Sequence, residues 1–175
     1  EIFDAGPPTL LPRIRLVTDM GEVGDLADLP PAVPPLRRRL ELAQLVARLI
    51  EARPNLAPEA ALYDLADSLA ALMDEMGVEG VDPETVLNLD VSDESGHWQR
   101  ALAFLRIVRD YLAELDAPPD PGARLRRVIE RRVAAWQAAP PTHPVIVAGS
   151  TGSRGAVALL MQAVARLPQG AVVLP

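Results

Sequence analysis

The residues best placed to do chemistry fall within one short stretch. Pro144 to Ala148 is an apolar run, and Gly149, Ser150, Thr151, Gly152, Ser153, Arg154 and Gly155 form a loop of small residues. Ala156 to Leu167 then repeats apolar side chains at helical spacing, and Ala171 to Leu174 is a second apolar run beyond Gly170. This is the strand, loop, helix, strand order of a parallel α/β unit. A loop in that position faces a helix N-terminus, whose unpaired N–H groups and partial positive charge hold phosphate in nucleotide-binding folds. The ATP-hydrolysing form needs G-x-x-x-x-G-K-[ST], so that a lysine reaches the outer phosphates and a hydroxyl holds magnesium. Counted from Gly149, the second glycine falls on Arg154, and all 17 basic residues of the chain are arginine. The loop therefore reads as a degenerate nucleotide-type loop, and neither binding nor hydrolysis of ATP is expected.

Arginines make the other candidate set. Arg37, Arg38 and Arg39 stand in the first turn of a predicted helix, and Arg124, Arg127 and Arg131 fall at i, i+3 and i+7. Planar, multi-donor guanidiniums in such clusters contact phosphates. The chain also offers them partners of its own, because its net charge is −7 and Pro54 to Gln99 holds eleven acidic residues and no basic one. Arg100 to Pro140 carries eight arginines against five acids. Weak, sequence-independent DNA binding that salt abolishes is the expectation for these six positions.

Other chemistries fall by subtraction. His97 and His143 stand in unrelated contexts and there is no cysteine, so neither a metal site nor thiol catalysis is expected. Gly149-Ser150-Thr151-Gly152 does not fit the nucleophile elbow G-x-S-x-G. Asp74-Glu75 and Asp93-Glu94 point in diverging directions on a helix and read as surface charge, and Asp64 with Asp67 reads as a solvated face. No catalytic residue, metal or cofactor is assigned.

The elements that would carry these residues are mostly helices. Arg13 to Val17 alternates basic and apolar side chains and reads as a strand. Glycines and prolines make residues 19 to 35 a loop with polyproline character. Leu36 to Arg53 predicts a helix with a stripe through Leu36, Leu40, Ala43, Val46, Ala47 and Ile50. Its arginine-rich start sits at the wrong end of the helix dipole unless something anionic offsets it. A second helix spans about Pro58 to Met76 and ends at Gly77. Asp82-Pro83-Glu84 starts a short one, Asp93 to Ala117 a long one, and Asp120-Pro121 another that reaches about Ala138.

The expected fold class is α/β: four or five helices with a small parallel sheet built from Arg13 to Val17, Val145 to Ala148 and Ala171 to Leu174. Residues 1–35 and 141–175 are expected to form a core, with 36–140 as a helical insertion. Glu1 to Pro8 has no secretory character, and no window approaches the ~20 apolar residues of a membrane helix. A cytoplasmic protein is expected.

Three strings, Leu11-Pro12-Arg13-Ile14-Arg15, Leu29 to Leu40 (LPPAVPPLRRRL) and above all Val147 to Gly155 (VAGSTGSRG) with Leu159 to Ala163 (LLMQA), resemble the AddB family in its alphaproteobacterial branch. That family supplies the second subunit of the bacterial AddAB helicase–nucleases of double-strand break repair. The resemblance covers almost the whole chain but only an internal part of the N-terminal half of a family member. It implies a partial superfamily-1 helicase-like core without motor chemistry: where an active relative ends its strand in Asp-Glu, Gly149 and Ser150 follow Ala148. It also implies DNA and an AddA-type helicase–nuclease subunit as partners, in homologous recombination. The family's nuclease would lie far beyond Pro175, and no catalytic residue carries over. The alternative is an independent small α/β module that binds an anionic ligand at Gly149 to Gly155.

Overall fold

The computed structural model describes residues 12–22, 29–52, 54, 61–88, 105, 106, 109 and 119–175. Pro35, whose fixed φ suits a first helical position, opens helix α1, Pro35–Ala52. The buried face of α1 passes through Arg38, Leu42, Leu45 and Leu49 as well as the expected Ala43, Val46 and Ile50. Leu36 and Leu40, expected in the core, are 70% and 49% exposed. The helix is rotated because Arg38 itself turns inward to meet two carboxylates, which carries Leu36 and Leu40 out to solvent.

Helix α2, Leu62–Glu79, lies against α1, and Leu42, Leu45, Val46, Leu49, Ile50, Ala66 and Leu69 close one hydrophobic cluster between them. Gly77 does not end this helix. The chain runs through it to Gly80, whose φ of 70° gives the left-handed terminus, with the Val81 N–H on the Met76 carbonyl at 2.9 Å. Gly77 instead serves packing. A Cβ there would lie 2.6 Å from the Ala123 backbone nitrogen, and one on Gly122 would strike the Asp74 carbonyl oxygen. Two helices thus touch backbone to backbone at this crossing. A short helix α3, Pro83–Leu87, follows, with the Asp82 carboxylate accepting from the Glu84 N–H at 2.9 Å as expected. Of the long helix expected at Asp93 to Ala117, Leu105, Arg106 and Arg109 are described and are helical. The rest of it, including His97, lies outside the described residues, as do Pro58 to Ala60 at the expected start of α2.

Helix α4, Pro121–Ala138, crosses α2 and packs on the C-terminal unit. That unit is β1 (Val145–Ala148), helix α5 (Gly155–Ala165) and β2 (Gly170–Val173), with β1 and β2 parallel in the register Val145 to Gly170 through Ala148 to Val173. A second hydrophobic cluster joins Val78 of α2, Leu125, Ile129 and Val133 of α4, Val147 of β1 and Ala156, Leu160 and Val164 of α5. The last helix of the expected insertion is therefore packed into the same core as the sheet. Among the described residues the protein is mainly helical with a two-stranded parallel sheet.

The strand expected at Arg13 to Val17 is absent. Residues 12–16 belong to no ladder, and Ile14 and Leu16 are 88% and 67% exposed. The backbone bonds locally instead: the Asp19 N–H meets the Leu16 carbonyl and the Met20 N–H the Val17 carbonyl, both at 3.2 Å, opening a 3-10 helix at Thr18–Glu22. Val17 and Met20 then pack on the second cluster. Alternation alone reads as a strand; what it lacks here is a partner edge.

Candidate functional site

The loop between β1 and α5 turns at two glycines in left-handed conformation, Gly149 (φ 74°) and Gly152 (φ 68°). Ser150 Oγ accepts from the Gly152 N–H at 3.2 Å, so the serine holds the loop's own backbone. Thr151, Ser153 and Arg154 are exposed. At the helix N-terminus, where a phosphate would sit in a nucleotide-binding relative, the Gly155 N–H donates to Glu79 Oε1 at 2.9 Å. Glu79 ends α2, and its other carboxylate oxygen would lie 2.8 Å from any Cβ on residue 155, so glycine is what lets the acid approach. The chain supplies its own anion at the positive end of α5.

The six arginines fall into different environments. Arg38 is 8% exposed and sits among three helices: it donates from Nη1 to Asp74 Oδ2 at 2.9 Å and from Nη2 to the Ala70 carbonyl at 3.0 Å. Its Nε lies 2.7 Å from Asp120 Oδ1, an ion pair whose N–H is not aligned as a hydrogen bond. Arg124 is 4% exposed and donates from Nε to the Pro30 carbonyl at 2.9 Å, while the Val33 N–H meets the Pro119 carbonyl at 3.2 Å. The proline segment is thereby tied to the start of α4. Arg37 pairs with Glu41 at 2.7 Å, and Arg39 makes a two-pronged pair with Asp67 at 2.8 and 2.9 Å while lying 5.4 Å from the Tyr63 ring centre. Arg127 and Arg131 are exposed on α4. The three candidate arginines on α4 thus divide, with Arg124 inside and Arg127 and Arg131 outside.

Asp74 is the residue that the sequence reading missed. Expected as surface charge, it receives Arg38 on one oxygen and the Gly122 N–H on the other, at 3.2 Å, so it caps α4 from a different helix. Asp120, expected to be that cap, makes no side-chain capping bond and faces Arg38 instead. Burial pushes the Asp120 carboxyl up from its ordinary value, and Asp74 adds to this while Arg38 opposes it. Asp67, expected to be solvated without a cation, is held below its ordinary value by its hydrogen bonds to Arg39. The signal pointing to these acids was the arginine triplet at the start of α1, which needed an anion. α4 also returns a cap to α2: Arg126 Nη1 donates to the Val78 carbonyl at 3.1 Å.

Among the described residues no three His, Cys, Asp or Glu side chains gather as a metal site, and no helix is long and apolar enough to cross a membrane. Compared with family models, curated proteins and solved structures, the chain matches none.

Proposed function

We propose that the chain is a non-catalytic scaffold piece of an AddB-type helicase–nuclease subunit: a remnant helicase-like core that handles DNA and contacts an AddA-type partner during double-strand break repair by recombination. The observation that carries this reading is the Glu79 carboxylate on the Gly155 N–H. It supports a strand-loop-helix unit kept for structure, with an internal acid where a phosphate-binding unit would take its ligand. The same contact weighs against the alternative of an independent anion-binding module, since a second anion at that N–H would meet like charge. Arg127 and Arg131 are exposed on α4, and this reading assigns phosphate contact to them. Anisotropy of labelled DNA tests the reading. Weak binding that falls steeply with salt and is reduced by Arg127→Ala with Arg131→Ala is expected; affinity that ignores both changes removes these arginines from the DNA path.

A further inference from the structure

A groove with a cavity volume of about 260 Å³ runs between the C-terminal half of α4 and helix α5 with the turn that follows it. Its walls are aliphatic, with Val133 and Leu167 among them, and the half-buried indole of Trp136 lines one side. Among the described residues its polar lining is Gln137, Gln162 and Arg166, with no acidic residue. In a chain of net charge −7 with 24 acidic residues, a concave surface that holds an aromatic ring and a cation but no acid is locally complementary to an anionic aromatic group. Arg132 stands one helical turn before Trp136 on the same face of α4, whereas Arg127 and Arg131 lie on the other side of that helix.

We infer that this groove seats one unpaired nucleotide of single-stranded DNA, the base against the Trp136 indole and its phosphate at Arg166 and Arg132. The inference rests on the DNA-handling reading above and names the form of DNA. Size points to a single ring system, because pockets for whole drug-sized molecules begin at roughly 300 Å³. Chemistry points the same way. An indole stacks on any base, and an amide carries both donor and acceptor for any base edge. Arginine meets the phosphate, the combination that single-strand binding uses without reading sequence. A duplex keeps its bases stacked inside and offers the ring nothing.

The test uses the whole chain, a labelled oligothymidylate and a duplex of equal length at low salt. The single strand is expected to bind more tightly and to quench Trp136 emission in a Trp98→Phe background. Trp136→Ala should weaken single-strand binding roughly tenfold while Trp136→Phe retains most of it. Arg166→Gln should make the salt slope for the single strand shallower by about 0.7. Far-ultraviolet circular dichroism of each variant controls for folding, and the phenylalanine variant preserves the test if alanine unfolds the chain. Equal affinity for both DNA forms, indifferent to Trp136→Ala, overturns the groove inference and leaves the DNA-handling reading standing. Binding of neither form overturns both. An acidic aromatic peptide that quenches Trp136 where the oligonucleotide does not assigns the groove to a protein partner and overturns the inference.

Discussion

Arg38, Asp74 and Asp120 show how one interior cation sets the roles of two acids. Asp74 is the more useful partner because each of its oxygens has an aligned donor, Arg38 on one side and the Gly122 N–H on the other. Asp120 has only an unaligned pair with Arg38 and is more costly to charge. Asp74→Ala should therefore destabilise by about 2 kcal/mol, a value kept low because the carboxylate is partly exposed, whereas Asp120→Asn should change stability by less than about 1 kcal/mol. Urea denaturation of the two variants checks the order; equal losses would contradict it. The pH dependence separates them further. The folded-state value of Asp120 is raised above its ordinary 3.8, so between those two pH values the folded chain holds a proton that the unfolded chain has released. Stability from this group falls as pH rises through that window, and acidification into it should favour the parent over Asp120→Asn. Asp67 runs the other way, since its value is lowered: its contribution is present above the ordinary value and is lost as pH falls through the folded one.

At the scale of elements, α2 does more than bury a face. It caps α4 through Asp74 and α5 through Glu79, receives Arg126 on its own last turn, and meets α4 at Gly77. Gly77→Ala improves helix propensity by about 1 kcal/mol yet should destabilise by about 2 kcal/mol, because a methyl 2.6 Å from the Ala123 nitrogen forces the two helices apart. A thermal midpoint at or above the parent's would show that the helices part freely. Gly77 also marks the limit of what the sequence discloses. Helix starts at Asp82-Pro83 and Pro121 were readable because first-turn chemistry is local, and the helix expected from Leu36, β1, its loop and α5 were readable from period and glycine placement. The purpose of Gly77, the inward turn of Arg38 and the use of Asp74 and Glu79 depend on residues 32 to 82 positions away, and no local pattern encodes them. Glu79 bears on ATP in the same way. Glu79→Ala frees the Gly155 N–H but adds no lysine and no strand-end carboxylate, so magnesium-ATP should give no heat of binding with the parent or with this variant. Turnover by either protein would overturn the non-catalytic reading.

Over the whole molecule, the described residues hold two hydrophobic clusters, one between α1 and α2 and one joining α4, α5 and the sheet to Val78. The link between them is a polar seam of Arg38, Asp74 and Asp120 together with the Gly77 and Gly122 contact. A seam of charge pairs and backbone contact loses much when it separates, since Arg38 would leave its partners while still largely buried. The two clusters should consequently unfold as one cooperative unit. Val46 is fully buried in the first cluster, whereas Trp136 packs on the second. Val46→Ala removes two buried methyl groups and should cost about 2 kcal/mol. If the seam couples the clusters, that loss moves the Trp136 emission midpoint, read in a Trp98→Phe background, by the same amount as the helical signal from circular dichroism. If Trp136 keeps its parent midpoint while helicity is lost early, the first cluster melts alone, and the Arg38 seam holds the helices in place without joining their stabilities.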